Sequence, residues 1–109
     1  MLQDVHSRKI SAPVVALAGA TTAVVAAQTD AWIYIHELIG DLSVDGTVEL
    51  LSGTTSLGKF FLDAGQGLTE QDEPGMDGVP RFVVKPGDAF IIKATGGDFK
   101  GSIDYSLRY

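Results

Sequence analysis

Turn-forming residues recur along this sequence about every eight to twelve residues and separate short apolar runs. The last run, residues 101–109, alternates most regularly. Serines and charged residues fall on one side of it, and the other side carries Ile103, Tyr105, Leu107 and Tyr109. That period of two is typical of a half-buried strand, and no segment shows a convincing helical period. The pattern predicts an all-β chain: an antiparallel β-sandwich of about eight strands, arranged like a jelly roll.

The predicted strands follow the apolar runs. We place them at residues 11–18, 21–27, 30–42, 47–51, 57–62, 81–84, 89–94 and 101–109. The pair Asp45-Gly46 favours a tight hairpin between the third and fourth strands. Residues 63–80 are rich in glycine, proline and carboxylates, and they predict a long acidic loop with almost nothing to bury. The carboxylate spacing does not follow the ligand pattern of a calcium loop, so we expect no metal site there.

The run of residues 30–42 is the longest with strand-like composition, and we expect the fold to form around it. Alternation places Ile33 and Ile35 on the inner side of this strand. It places Trp32, Tyr34 and His36 together on the outer side. An aromatic row on an outer face suggests a surface that is covered, either by the chain's own arm and loops or by another subunit.

Leu51 and Phe61 are two further apolar residues on predicted outer faces, and they favour the second alternative, a homo-oligomer. Residues 1–10 are polar and show no period, which predicts an N-terminal arm that a partner could order. Residues 11–109 then form a single domain.

Composition excludes several classes of partner. The 109 residues carry a net charge of −6, and the sequence pI is about 4.6. Phosphate binding relies on clustered Lys and Arg, but the eight basic residues are scattered along the chain. We therefore expect neither nucleic acid nor an anionic membrane surface as a partner. The absence of cysteine excludes disulfides and a thiol nucleophile.

One segment imitates a secretory signal, since Arg8 and Lys9 precede the apolar residues 12–27. Pro13 and Gly19 interrupt this run, and alanine supplies much of its apolarity. We interpret it as two core strands joined by a turn. The other interpretation, a secreted β-sandwich module, stays open.

The sequence contains no recognisable set of catalytic residues. His6 lies in the arm, and His36 is followed by Glu37, which alternation sends to the opposite side of the strand. No serine motif such as a nucleophile elbow is present, and a jelly-roll hydrolase would need clustered histidines for its metal. We expect no enzyme activity, no catalytic residue, no cofactor and no bound metal.

The C-terminal third carries a recognisable set of motifs: Pro80-Arg-Phe82, Pro86-Gly-Asp-Ala-Phe90 and Gly101-Ser-Ile-Asp-Tyr105. They resemble small proteins encoded in the structural modules of tailed phages and prophages. Ile33-Tyr-Ile35 and Leu50-Leu-Ser-Gly53 are similar to the central strand of that family and to one of its turns. The resemblance covers roughly residues 20–109, and the long acidic loop and the bulky Trp32 depart from it.

The resemblance implies a capsid decoration, or cement, protein. Such proteins are often jelly-roll-like trimers on the outside of an icosahedral head, made in the host cytoplasm, and their partner is the major capsid protein. On this expectation the arm contacts a capsid or sibling subunit through Val5, His6 and Arg8, and the face that carries Trp32 is buried within the trimer.

A second function class also fits the residues. A receptor- or glycan-binding head of a phage fibre or adhesin would use the same sandwich, with Trp32 and Tyr34 stacked against a sugar. Binding to purified heads, as opposed to hits on a glycan array, separates the two classes.

Overall fold

The computed structural model describes residues 9–72 and 80–109. Within them the chain forms two packed antiparallel sheets and no helix. Sheet A has the order β1-β9-β3-β6, with β7 also paired to β3, and sheet B has the order β2-β8-β4-β5. The nine strands are β1 (Ile10–Ala16), β2 (Thr21–Val25), β3 (Trp32–Leu42), β4 (Gly46–Ser52), β5 (Thr55–Leu62), β6 (Gly67–Gln71), β7 (Phe82–Val84), β8 (Phe90–Thr95) and β9 (Phe99–Arg108).

The strand pairs are nested. The first strand pairs with the last, β1 with β9, followed by β2 with β8, β3 with β6 and β7, and β4 with β5. Folding one long antiparallel ribbon over on itself produces this order, which is the strand order of a jelly roll. The predicted all-β, jelly-roll-like sandwich is therefore confirmed, and β1 begins at Ile10, the last residue of the predicted arm.

β6 and β7 are two halves of one strand. β6 pairs with Glu37 to Asp41 of β3, and β7 pairs with Ile33 to Ile35 of the same strand. β6 ends at Gln71 and β7 begins at Phe82, so a jelly roll of eight strands becomes nine. The prediction of one loop over residues 63–80 is wrong for β6, because Leu68 is buried in the core and pairs with Gly40. Residues 73–79 of that predicted loop lie outside the described residues.

The predicted Asp45-Gly46 hairpin is also wrong. β3 and β4 lie in different sheets, so this connection crosses the sandwich. Asp45 instead accepts a hydrogen bond from the backbone amide of Ala64, at 2.7 Å, which ties two neighbouring connections together. The tight hairpin is at the next turn, where Gly53 with φ of 61° joins β4 to β5.

The core lies between the sheets and follows the predicted alternation. Ile33 and Ile35 are fully buried, as are Ile103 and the rings of Phe90 and Phe99. Burying one such side chain stabilises the fold by about 1.5–3 kcal/mol. None of the described residues belongs to a helix long and apolar enough to cross a membrane.

Two glycines let β3 and β9 approach each other. Gly40 lies opposite Gly101 in the register of the pair. A Cβ on Gly40 would overlap the Phe99 ring, and a Cβ on Gly101 would overlap the carbonyl oxygen of Ile39. The glycine that opens the last motif is therefore required by close packing of the strands.

Candidate functional site

A bulge in the central strand organises the outer face of sheet A. Ile35 pairs with Tyr105 and Glu37 pairs with Asp104, so His36 has no partner of its own on β9. The extra residue reverses the alternation. Ile33 and Ile35 point inward before the bulge, and Leu38 and Leu42 point inward after it. Bulges commonly redirect side chains in this way.

The bulge coincides with the break between β6 and β7. The carbonyl of His36 accepts from the amide of Asp72 at 2.9 Å, and the carbonyl of Ile35 accepts from the amide of Arg81 at 2.8 Å. Arg81 Nη2 also lies 2.8 Å from Glu70 Oε1. These contacts hold together the two points at which the chain leaves and rejoins the sheet.

His36 lies at the centre of a polar network. Its Nδ1 is 2.9 Å from Asp72 Oδ2, and its Nε2 is 2.8 Å from Ser106 Oγ. An ionised carboxylate accepts hydrogen bonds and cannot donate them, so Nδ1 donates to Asp72. In the neutral ring, Nε2 then accepts from the Ser106 hydroxyl. The outer row that carries His36 was predicted to be covered, and at His36, of which only 6% is accessible, the chain itself provides that cover.

The order of atoms in this network is that of a serine–histidine–aspartate triad. Burial argues against a nucleophile, because Ser106 is 1% exposed. Ser106 also lies within β9, paired with Tyr34, whereas an exposed nucleophile usually sits on a sharp turn. A network of this kind holds β6, β3 and β9 together through side chains.

A depression of about 140 Å³ opens beside the network. The described residues that line it are Lys9, His36, Glu37, Gln71, Asp72 and Asp104, and Ser106 is not among them. The prediction that Glu37 points away from His36 is wrong, because the bulge brings both to this depression. Three of its lining side chains carry carboxylates, but within residues 9–72 and 80–109 no group of three or more acidic or histidine side chains has the geometry to hold a metal ion.

An aromatic patch lies next to this depression, toward the start of β3. We call it the Trp32 patch and define it as Trp32, Tyr34, Val83 and Arg108, which are cross-strand neighbours on the outer face. Trp32 is 46% exposed, and the Arg108 guanidinium lies 5.2 Å from the centre of the Tyr34 ring. The Tyr34 ring meets the His36 ring edge-on, with 6.5 Å between centroids. The patch and the buried network are therefore in direct contact through these two rings.

Two buried polar atoms on this side of the molecule lack a partner among the described residues. They are Asp72 Oδ1 and Arg108 Nε. A buried polar group without a hydrogen bond costs about 1–3 kcal/mol. Because both atoms have almost no accessible surface, a molecule docked on this face would not contact them without a rearrangement of the surrounding side chains.

The other predicted contact residues lie elsewhere. Leu51 is half-buried on the outer face of sheet B, and Phe61 is 81% exposed on the edge strand β5. The structure does not bring them to the Trp32 patch. Val5, His6 and Arg8 lie outside the described residues.

Sequence reasoning missed the partners of His36. Asp72 was assigned to a solvated loop, and Ser106 was placed on the outer side of the last strand without a role. The separations are 36 residues from His36 to Asp72 and 70 residues to Ser106, so no local motif could connect them. The available signal was indirect: a histidine in an apolar strand requires polar partners once it is buried.

Comparisons with known proteins identify no relative. No family model matches the chain, and neither a curated protein nor a solved structure matches it.

Proposed function

We propose that this chain is a structural protein that decorates and stabilises a phage capsid from the outside, as an oligomer of three copies. It acts by binding other proteins and makes or breaks no bond. The single observation that carries the proposal is the Trp32 patch. Trp, Tyr and Arg are the residues most enriched among those that dominate binding energy at protein interfaces.

Several features of the patch support protein binding. Trp32 keeps 46% of its surface accessible on the flat face of a sheet, although its indole would be stabilised by burial. Arg108 already stacks on Tyr34, so little side-chain entropy remains to be lost when a partner docks.

The phage context rests on the resemblance, and the positions of its motifs are consistent with that reading. Gly87, with φ of 92°, lies in the turn that leads to β8, and Gly53 lies in the turn between β4 and β5. Ile103 and Tyr105 face the core from β9. The fold accommodates these motifs, and the phage role itself is proposed from the resemblance.

The physical mechanism is multivalent binding. Each copy contributes a modest interface, and three connected copies bind far more tightly than one because the later contacts form at high effective concentration. Contacts made only with the mature shell stabilise that shell by mass action. The rigid nested sheets suit this role, since an interface held on strands needs little rearrangement on binding.

Co-sedimentation with heads tests the proposal. The heads are purified from the phage or prophage whose structural module encodes the chain. We expect the wild-type protein to sediment with them, and Trp32→Ala to lower the apparent affinity about tenfold or more. The matched control is Lys93→Ala, an exposed change on the outer face of sheet B, which should bind like the wild type. Equal binding of both variants, or no binding by the wild type, would contradict the proposal.

A second candidate function, glycan binding, is favoured by one observation. An exposed indole lies on the same face as a depression lined by the carboxylates of Glu37, Asp72 and Asp104, and carboxylates can accept hydrogen bonds from sugar hydroxyls. A glycan array decides between the candidates: specific hits that Trp32→Ala abolishes would support this one.

A further inference from the structure

The four sheet edges differ in how well they could accept another strand. An exposed edge presents unpaired backbone groups, and proteins usually obstruct it. β1 carries Pro13, which has no N–H to donate. β2 has five residues and a bulge between Ala23 and Val25. The fourth strand of sheet A is broken between β6 and β7.

β5 is the exception. It has eight residues and no proline, and within the described chain it pairs with β4 alone. Its irregularity lies at Leu57, so the segment from Gly58 to Leu62 keeps a regular register with β4. Phe61 on this segment is 81% exposed, which makes it the most exposed of the large hydrophobic side chains of the described chain.

We propose that the free edge of β5 pairs with β5 of a second copy, antiparallel about a two-fold axis at Phe61. The sequence around that axis is self-complementary. Phe61 would lie opposite Phe61 of the partner copy, Phe60 opposite Leu62, and Lys59 opposite Asp63. Both ends of the pairing therefore match opposite charges, and the centre matches aromatic and aliphatic side chains, which are the cross-strand pairs that stabilise sheets.

A register centred on Lys59 is worse. Sliding the strands so that residue 59 faces residue 59 would place two lysines opposite each other, and like charges directly opposite are destabilising. In the proposed register, Lys59 obstructs foreign strands that lack a matching carboxylate and accepts a second copy of this chain. The four strands of sheet B become a continuous sheet of eight.

A two-fold contact uses the same surface on both copies, so it cannot by itself close a ring of three. It is a separate contact from any three-fold interface and involves the opposite sheet from the Trp32 patch. The pairing therefore does not depend on the capsid role and can be measured on the purified protein.

Cysteine trapping tests the register, and the natural chain contains no cysteine that would confuse the result. Facing residues of an antiparallel pair have Cα atoms about 4.5–5.5 Å apart, within the range that a disulfide spans. Under mild oxidation we expect Phe61→Cys to form a covalent dimer of twice the 11.5 kDa protomer mass. The matched control is Val15→Cys, 54% exposed on β1, which should remain unlinked. Linking of Phe61→Cys no faster than of Val15→Cys would overturn the proposal.

Charge exchange tests the pairing without a covalent trap. Lys59→Asp places like charges at both ends of the contact, and light scattering should show self-association weakened about tenfold. The double variant Lys59→Asp with Asp63→Lys restores opposite charges and should recover association to within about threefold of the wild type. A wild-type protein that stays at the protomer mass at high concentration would overturn the proposal, as would a double variant no better than the single one. Circular dichroism confirms that each variant is folded.

Discussion

The polar network around His36 lies on sheet A, and the free edge of β5 belongs to sheet B. The two regions differ in solvent exposure, since the network is buried and the edge is exposed. In the network, the polar side chains are buried and both ring nitrogens of His36 have a partner: His36 is 6% exposed and Ser106 is 1% exposed. At the β5 edge, a large apolar ring is 81% exposed and nothing in the described chain covers it. The first region takes its hydrogen bonds from within one chain, whereas the second is open to solvent and is where we propose that a second copy pairs. A substitution in the network should therefore change folding, and one at the edge should change association.

The Trp32 patch lies between these extremes. It adjoins the buried network through Tyr34, and it still exposes 46% of the indole. A triad-like order of atoms is consequently weak evidence for catalysis here, because the hydroxyl that would attack is the most deeply buried of the three groups. The surface that we propose for binding begins where that network ends.

The largest expected effect is on stability, from His36→Ala. The change removes two buried hydrogen bonds, leaves Asp72 and Ser106 without their shared partner, and creates a small cavity. We expect the free energy of unfolding to fall by about 2–4 kcal/mol. Urea denaturation followed by tryptophan fluorescence measures it, since the chain has one tryptophan. A loss under about 0.5 kcal/mol would show that the network is not part of the folded state.

Ser106→Ala should have a smaller effect. It removes one neutral hydroxyl from the network and should lower the free energy of unfolding by about 1 kcal/mol.

Labelling with a fluorophosphonate probe tests whether Ser106 is a nucleophile. We expect no labelling of the wild-type serine, because its Oγ is inaccessible. Stoichiometric labelling that Ser106→Ala abolishes would mean that the triad is active and the non-catalytic account is wrong.

Arg81→Ala should lower the free energy of unfolding by a smaller amount still, about 0–1 kcal/mol. Arg81 and Glu70 hold the same break in the strand as His36 and Asp72, but the Arg81 side chain is 43% exposed, so water and salt screen the pair. Denaturation midpoints at low and high salt check this. A loss of unfolding free energy as large as that caused by His36→Ala would contradict the expected difference between the buried and the exposed contact.

The smallest expected change in folding comes from Phe61→Ala. Because the ring is 81% exposed, the free energy of unfolding of the isolated protomer should stay within about 0.5 kcal/mol of the wild type. Denaturation at a dilution where the protein is a single copy tests this. A loss of about 2 kcal/mol there would mean that Phe61 supports its own fold, and the comparison between edge and network would fail.

Most of the strands could be predicted from the sequence because one face of a strand packs against the core and the other faces solvent. The alternation in β9 is clear for that reason, since Ile103 is buried in the core and Ser102 is exposed to solvent. β6 was missed because Leu68 is its one buried apolar residue among glycine and polar neighbours. The bulge was missed because a reversal of alternation at His36 depends on the register with β9, which a single strand does not encode. The network could not be predicted, since it requires the positions of three separate strand segments at once.

Electron cryo-microscopy of heads mixed with the purified protein tests the central claim most directly, because it shows which surface of the sandwich meets another protein. The account predicts ordered density on the outside of the shell, with the indole of Trp32 buried against a capsid or sibling subunit. Bare shells, or bound copies whose Trp32 faces open solvent on every side, would contradict it.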